Sequence, residues 1–475
     1  RFHQHHNQFQ IKFKFSVANV TTAMYLSFLL IICYTLPPLL RACPIYLTIS
    51  LDGKTLQDSH IEVNWGPECH EYPEWIGIFN EDPSTAYVPP EARITDITNS
   101  SGKIVSDVKI GKLRFPQGWN NYDENVVPIE YPKGKCLPYY VASFNGTELL
   151  TVECLKIQPN WMSKLDHIAQ MPLKELFIPG THASAAYVAN LTKTKSVLIK
   201  DYVVAQQFDV WSQLVFGIRY LDFSIGYDKI DDVYDSNNAD NFYIVNENKL
   251  VRPLRSVLRD IKRFVQLSHE VVILDFSSFP IGFYKHPERH SGLNHLLREE
   301  VGDIVYIRNT STQEGSKQCD ELTIEEIRKD NKYLIILYPV QELPYPESES
   351  KMLCSNWKRF STAFMNTSEA LDNMRLLFSK KQNSPIQNEG WVFQAIRSME
   401  QSLNNNKLET AKERAAILNP KVTSWLKGPW SLAANVVAFD YFSNTNIIDV
   451  AIYANMHKAF NMANKNFVNF EIVSV

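Results

Sequence analysis

The sequence lacks several features that would assign the protein to a class at once. It has no low-complexity segment and no internal repeat, which excludes fibrous and solenoid architectures. It has no excess of basic residues, and the formal net charge of -4 argues against a general nucleic-acid binder. No apolar run is long enough for a comfortable membrane span, and the C-terminal residues lack the apolar tail of a lipid-anchor signal. The 475 residues therefore suit a globular protein with room for more than one domain.

Residues 1–42 are predicted to be a leader that ends in a secretory signal. The first methionine is Met24, and the residues before it, rich in His, Gln, Lys and Phe, are expected to lie outside the mature protein. An apolar run follows Met24, is broken at Pro37-Pro38 and ends near Ala42. This pattern is typical of a cleaved signal peptide, with a signal-anchor as the alternative. We therefore expect a secreted, extracellular protein.

Cysteines and glycosylation sequons also favour export. Four cysteines in the first third allow three pairings, and two later ones form a separate pair, as expected in an oxidising compartment. The disulfide candidates are Cys43, Cys69, Cys136, Cys154, Cys319 and Cys354. Five Asn-x-Ser/Thr sequons predict a glycoprotein. The candidate sites are Asn99, Asn145, Asn190, Asn309 and Asn366.

Residues 43–157 are predicted to form a small antiparallel β-sandwich domain. Short β-branched or aromatic runs are separated there by turn clusters such as Asp-Gly and Asn-Gly. Several runs alternate apolar with polar residues, which is typical of strands with one buried face. The predicted strands are Ile45–Ile49, Ile61–Trp65, Trp75–Phe79, Tyr139–Phe144 and Leu149–Val152. No catalytic cluster lies among them, so this domain is expected to pack on the next one or to bind a ligand.

Residues 158–475 are predicted to form a distorted TIM-type (β/α) barrel, which makes the fold class α/β. Apolar runs alternate there with helical patterns, and the runs are continuous, as expected for parallel strands buried on both faces. Helices are predicted over Arg252–His269 and Ile448–Phe460. The predicted strands are Leu176–Ile178, ended by Pro179 and Gly180, and Ile218–Ile225, Phe242–Val245, Val271–Phe276, Tyr333–Tyr338, Trp391–Ala395 and Val436–Phe439.

Polar side chains lie in these strands or just after their ends. Because the carboxyl ends of barrel strands meet at one face, we expect these side chains to lie together. Buried carboxylates are costly unless they are paired, so the cluster predicts a functional site. Its members are His182, Asp222, Ser224, Asn246, Asp275 and Asp440.

Four ordered motifs across roughly residues 160–470 resemble the X domain of phosphatidylinositol-specific phospholipase C. The most similar type is the small X-domain-containing protein of animals, particularly insect forms with an N-terminal β domain. The resemblance implies a distorted TIM barrel, phosphoric diester hydrolase ancestry, and binding of an inositol phospholipid or inositol phosphate head group, with peripheral membrane contact. The motifs are Pro179-Gly-Thr-His182-Ala-Ser, Gly217-Ile-Arg-Tyr-Leu-Asp222, Glu270-Val-Val-Ile-Leu-Asp275-Phe and Asn435-Val-Val-Ala-Phe-Asp440-Tyr-Phe.

The family's reaction implies roles for three of these residues. The inositol hydroxyl of the substrate attacks the phosphorus, which requires a general base, a general acid and positive charge on the phosphate. The resemblance assigns the base to His182, its orienting partner to Asp440 and a second-strand acid to Asp222. No cofactor is implied. A metal site is not expected, because Ser224 and Asn246 leave too few carboxylates for a calcium cage.

Three positions depart from the family pattern. Ala183 stands where an aspartate often follows the first histidine, and Asn246 stands where the second histidine is expected. Ser224 replaces an arginine or an acidic metal ligand. Asparagine can hydrogen-bond a leaving oxygen but cannot protonate it. A missing general acid costs about 10²–10⁴ in rate, and a missing electrostatic stabiliser about 10²–10³, so we predict an impaired site.

Compensation would need other residues. Lys229 or Arg219 could supply the cation, and His167 could supply the acid. An active secreted phosphodiesterase therefore stays open as an alternative, and so does a non-catalytic extracellular binding or structural protein. Activity predicts an arginine, lysine or second histidine near His182. An impaired relative predicts an open pocket with His182 and Asp440 paired but no cation, and a structural protein predicts a filled pocket.

Overall fold

The computed structural model describes most of the chain after the predicted leader. The described residues are 44–66, 72–97, 101–116, 118–120, 136–188, 202–228, 241–308, 317–339, 350–361, 367–383, 389–397, 403–404, 407–428 and 430–472. Several residues with a predicted role lie outside these ranges: residues 1–42, Cys43, Cys69, Asn99, Asn190, Lys229, Asn309 and Asn366.

Seven strands form two antiparallel sheets before the barrel. The strands are β1 (Ile45–Ile49), β2 (His60–Trp65), β3 (Trp75–Phe79), β4 (Ala92–Ile94), β5 (Gly102–Lys109), β6 (Cys136–Asn145) and β7 (Glu148–Lys156). One sheet has the order β1-β2-β5 and the other β4-β3-β6-β7. Ile49 and Ile61 of the first sheet share a buried apolar core with Ile76 and Val141 of the second. The predicted antiparallel sandwich is therefore confirmed, and we call residues 44–156 the β domain.

The later strands form the barrel and two small hairpins. They are β8 (Ile178–Thr181), β9 (Tyr220–Tyr227), β10 (Phe242–Asn246), β11 (Lys249–Pro253), β12 (Val272–Ile281), β13 (Leu334–Tyr338), β14 (Leu353–Ser355), β15 (Lys358–Ser361), β16 (Trp391–Ala395), β17 (Leu403–Asn404), β18 (Lys407–Leu408) and β19 (Val436–Phe439).

Eight of these strands are parallel and follow the order β14-β13-β12-β9-β8-β19-β16-β15. The first barrel strand, β8, pairs with the last, β19, which is the strand order of a (β/α)₈ barrel. Within the described residues no pairing joins the edge strands β14 and β15, so the barrel is open at that seam. The predicted distorted TIM-type barrel is confirmed.

Nine α-helices are described alongside these strands. They are α1 (Trp161–Lys164), α2 (Val210–Phe216), α3 (Leu254–Ser268), α4 (Glu288–Val301), α5 (Ile324–Arg328), α6 (Thr367–Asn383), α7 (Ala411–Leu426), α8 (Trp430–Ala433) and α9 (Ile447–Ile472). The apolar stripe predicted for α3 is buried. In the described part of the chain, no helix combines the length and the apolar character needed to cross a membrane.

Parts of the strand prediction were wrong or incomplete. The run Phe242–Val245, predicted as a parallel strand, is in β10 and pairs antiparallel with both β9 and β11. Glu247 and Asn248 have φ of 45° and 54°, which suits the two-residue turn of this hairpin. The edge strands β14 and β15 were not predicted, because strands of 3 and 4 residues are too short to show a periodic pattern.

Two disulfides lie in the described residues. Cys136–Cys154 joins β6 to β7, which selects one of the pairings that the sequence left open. Cys319–Cys354 ties the edge strand β14 to a short 3₁₀ helix, Cys319–Glu321, as the sequence predicted.

The inner face of the barrel changes character along the strands. Near the amino ends the inward side chains are apolar and form one core cluster, which includes Ile178, Tyr220, Ile273, Val392 and Val436. Two residues further along three of these strands, the same face carries Asp222, Asp275 and Gln394. The barrel therefore has an apolar floor and a polar upper layer at the carboxyl ends of its strands.

Candidate active site

Strand β8 delivers His182 to the carboxyl end of the barrel. The sequence predicted that Pro179 and Gly180 end this strand, but both lie within it. The fixed φ of proline is compatible with an extended strand, and the Pro179 carbonyl accepts a hydrogen bond from Arg219 N at 3.0 Å. A Cβ on Gly180 would lie 2.8 Å from Cδ1 of Tyr220, so the barrel interior leaves room only for glycine at this position.

The backbone turns immediately after His182. Ala183 has a φ of 42°, in the left-handed region, and Ser184 Oγ accepts from Thr181 Oγ1 at 2.7 Å. Ser184 Oγ also accepts from the backbone N of Asp222 at 2.8 Å. These bonds attach the histidine turn to the neighbouring strand β9.

His182 and Asp440 form the pair that the sequence predicted. Nδ1 of His182 donates to Oδ1 of Asp440 over 2.8 Å. Asp440 follows the last residue of β19 and is 5% exposed. Asn419 on α7 donates to the carbonyl of Asp440 at 3.0 Å, which fixes the turn that carries the carboxylate.

Asp222 lies on the other side of the imidazole. Its Oδ2 is 3.9 Å from His182 Nε2 and accepts from Gln394 Nε2 at 3.1 Å. Its Oδ1 is buried and has no hydrogen-bond partner among the described residues. His182 therefore lies between the carboxylates of Asp440 and Asp222, and the buried Oδ1 of Asp222 is left without a donor among the described residues.

These charges change the protonation of His182. Burial by itself would lower the pKa of His182, but the negative charges of Asp440, Asp222 and Glu247 outweigh it and raise the pKa to about 9. The side chain is 23% exposed, so a ligand can reach it. At neutral pH the group is an imidazolium, which donates hydrogen bonds and cannot act as a general base without first losing a proton.

A second polar cluster inside the barrel was only partly predicted. Asp275 was a candidate site residue, and its Oδ2 accepts from Arg359 Nη2 at 2.6 Å and from the hydroxyl of Tyr220. Burial raises the pKa of Asp275, and the paired carboxylate raises the pKa of Arg359 against the opposing effect of burial. Arg359 was not predicted, because it lies in β15, a strand of four residues that shows no periodic pattern.

Gln394 was also missed, although a signal was present. It is the one polar residue in the apolar run that became β16, and it lies on the inner face of the barrel. A polar residue inside a buried strand needs a partner, and Asp222 provides one.

The positions that depart from the family pattern add no charge. Ser224 Oγ is 2.7 Å from Ser278 Oγ. Asn246 Nδ2 donates to the Val203 carbonyl at 2.7 Å. Neither side chain is an acid or a cation, as the sequence indicated.

Two proposed compensating residues lie elsewhere. Arg219 is fully buried, pairs with Glu270 at 2.8 Å and lies before the first residue of β9, at the amino end of the barrel. His167 is exposed in a 3₁₀ helix, Asp166–Ile168, that precedes β8. Neither supplies a group to His182. In the part of the chain that the structure describes, no cluster of three His, Cys, Asp or Glu residues could hold a metal ion.

Comparison with known proteins gave structural neighbours only. No family model matches the chain, and no curated protein matches it. Among solved structures, it is similar to the phosphatidylinositol-specific phospholipase C of Staphylococcus aureus, with 16% identity over 62% of this chain and 97% of that chain, and a TM-score of 0.46. It is also similar to the phosphatidylinositol-specific phospholipase C of Listeria monocytogenes, with 19% identity over 62% of this chain and 98% of that chain, and a TM-score of 0.42.

Proposed function

We propose that the protein is a secreted relative of phosphatidylinositol-specific phospholipase C that binds an inositol phosphate head group and is impaired as a phosphoric diester hydrolase. One observation carries this proposal. His182 and Asp440 are paired at 2.8 Å, whereas the positions where the family has a general acid and a phosphate cation hold Asn246 and Ser224. The residues assigned as general base and orienting partner are kept, whereas the general acid and the phosphate cation are replaced.

The site offers both donors and acceptors to a phosphorylated polyol. The imidazolium of His182 can donate to a phosphate oxygen, because its pKa is raised to about 9. Asp222 is 3% exposed and its Oδ1 is buried without a partner among the described residues, so a ring hydroxyl reaches this acceptor only if the side chain turns toward the ligand. A polyol phosphate presents both kinds of group, so it suits this pair better than an apolar ligand does.

Arg359 supports an active phosphodiesterase as the second candidate. It is a cation inside the barrel, it is 23% exposed, and the charge of Asp222 acts on it. Its Nη2 donates to Asp275, whose carboxylate already neutralises its charge, so Arg359 offers a phosphate less positive charge than an unpaired arginine would. The impaired enzyme is therefore favoured over the active one.

Turnover is tested with purified protein, phosphatidylinositol vesicles, and assays with and without calcium. We expect no turnover from the natural chain. The triple variant Ser224→Arg, Asn246→His and Ala183→Asp restores the missing groups, and aspartate tolerates the positive φ at position 183 better than most residues do. Turnover by the natural chain that His182→Ala abolishes would overturn the impaired-enzyme proposal.

Binding is tested separately with soluble inositol 1-phosphate and with vesicles that do or do not contain phosphatidylinositol. We expect His182→Ala and Asp222→Asn each to weaken binding at least about tenfold, since each removes one charged hydrogen bond. His167→Ala is the matched control, because that histidine is exposed and lies before β8. Equal binding by all four proteins would contradict the proposed ligand site.

Secretion and glycosylation belong to the same proposal. Asn145 is exposed at the end of β6, so its side chain is accessible for glycan attachment. Expression in a secretory host, with N-terminal sequencing of the medium and glycosidase treatment, tests cleavage near Ala42 and the sequons. Retention of the full chain in the membrane fraction would instead support a signal-anchor.

A further inference from the structure

A single buried side chain joins the two backbone segments that carry the His182–Asp440 pair. Gln206 has no exposed surface, and its Nε2 donates to the carbonyl of His182 at 2.9 Å and to that of Phe439 at 2.8 Å. Its Oε1 accepts from the backbone N of Phe442 at 3.4 Å. Phe439 precedes Asp440 and Phe442 follows two residues after it, so one amide spans both sides of the pair.

The backbone around Gln206 supports the same two segments. The carbonyl of Ala205 accepts from Tyr441 N at 2.8 Å, and Ala186, in the turn after His182, accepts from Ala205 N at 2.8 Å. We call residues 203–207 the support loop. The support loop thus touches the chain after β8 and the chain after β19, and no other described segment bonds the carbonyl of His182.

The support loop also contacts the β domain through the next residue. Gln207 Nε2 donates to the carbonyl of Ser50 at 3.3 Å and to Ser59 Oγ at 3.2 Å, both between β1 and β2. Its Oε1 accepts from Ser443 Oγ at 2.5 Å. Leu51, from the same β-domain loop, packs against a buried cluster that includes Val204 and Tyr441.

We propose that Gln206 is a positioning residue for the His182–Asp440 pair and that Gln207 extends this support to the β domain, which makes that domain a structural part of the site. The inference rests on the proposed function, because that function uses the His182–Asp440 pair. The test of the inference measures the pair directly and does not require a ligand.

The test is to measure the pKa of His182 in the full chain, by recording NMR signals of its imidazole ring during a pH titration. The groups that face His182 are Asp440, Asp222 and Glu247, and they raise its pKa to about 9. Gln206→Met keeps the size of the side chain and removes its donors and acceptor. A misaligned Nδ1–Oδ1 contact weakens both the hydrogen bond and the charge interaction, so we expect the pKa of His182 to fall by about one unit or more.

Asn435→Leu is the matched control. Asn435 is also fully buried, donates to the carbonyls of Leu173 and Leu176 at 2.8 Å each, and accepts from Trp391 N at 2.8 Å, at the amino ends of the strands. Both substitutions remove three buried hydrogen bonds, but only the one at Gln206 touches the pair. An unchanged pKa in Gln206→Met, or an equal fall in Asn435→Leu, would overturn the positioning role.

Gln207→Met tests the link to the β domain. Because Gln207 is only half-buried, this variant is also the replacement test if Gln206→Met does not fold. We expect a smaller fall in the pKa of His182 than Gln206→Met gives, and Ser59→Ala should act in the same direction. A pKa that stays near 9 in both variants would show that the β domain does not support the site. Failure of the natural chain to bind inositol 1-phosphate, with these pKa changes present, would remove the proposed ligand but keep the inference.

Discussion

His182 and Asp440 are 258 residues apart in the chain, yet their side chains meet at 2.8 Å. They meet because β8 and β19 are neighbours, with Thr181 opposite Phe439 in the register. The residue after each strand therefore emerges at the same height on the barrel. The pair forms only when the last strand of the barrel lies beside the first.

The pair is expected to make stability depend on pH in the alkaline range. The pKa of His182 is raised from 6.5 to about 9 in the folded protein, so its contribution is fully present below pH 6.5 and is lost as the pH rises through about 9. This shift corresponds to about 3 kcal/mol of folding free energy. Burial lowers the pKa of Lys458 to about 7, which makes stability rise with pH over the same range, so the His182 contribution is read from the difference between the natural chain and Asp440→Asn. In urea unfolding at about pH 6 and about pH 9.5, this difference should shrink at the higher pH.

The control for this prediction is a second histidine–aspartate pair in the β domain. His60 Nδ1 lies 2.8 Å from Asp52 Oδ2, and the Asp52 side chain is 46% exposed. Asp52→Asn should leave the alkaline loss of stability as it is in the natural chain. An Asp440→Asn protein that loses as much stability at high pH as the natural chain would contradict the assignment to His182.

The Arg359–Asp275 ion pair is expected to be costly to break from either side. Arg359→Met leaves the Asp275 carboxylate buried without its cation, and we expect about 3–5 kcal/mol of destabilisation. Arg375→Met is the control, because Arg375 is 59% exposed and lies 3.8 Å from an exposed Asp372. The control should change the unfolding free energy by less than about 1 kcal/mol, most of it from the Trp425 ring, which lies 4.9 Å from the guanidinium. Similar losses of unfolding free energy in the two variants would show that the buried ion pair stabilises the fold no more than the exposed one.

Gly180 is expected to be required by the packing inside the barrel. In Gly180→Ala the added Cβ would lie 2.8 Å from Tyr220, so the ring must shift, with a cost of about 1–3 kcal/mol. Gly428→Ala is the comparison, since its Cβ would meet only the Trp425 carbonyl, at 3.5 Å. Thermal unfolding of both variants tests this difference. An unchanged melting temperature for Gly180→Ala would mean that the interior can relax around the extra methyl group.

The disulfide Cys319–Cys354 is expected to stabilise the open edge of the barrel. Cys319 and Cys354 are 35 residues apart in the sequence, and replacing both cysteines by serine should cost about 4 kcal/mol. Because Cys354 lies in β14, which pairs only with β13 among the described strands, amide exchange should increase first in β14. Faster exchange throughout the barrel, with no preference for β14, would argue against a local role.

The sequence predicted most of the strands and the composition of the site. Six of its seven predicted runs overlap barrel strands, the first of them only at Ile178, because short continuous apolar runs bounded by turn residues are typical of buried parallel strands. The motif around His182 and the run before Asp440 identified the pair, and the absence of charge at Ser224 and Asn246 could be read directly. The third run was misplaced because an apolar hairpin strand has the same composition as a parallel one.

Only the tertiary structure decided which partners these residues have. Arg359 was missed because its strand has four residues, and its pairing with Asp275 depends on two strands that are not neighbours in the sheet. No sequence pattern marked Gln206, because its role depends on which backbone carbonyls its buried side-chain amide contacts. Periodicity in a sequence reports which side of an element is buried. Distances between elements far apart in the chain are set by how the barrel closes, and no local pattern contains that information.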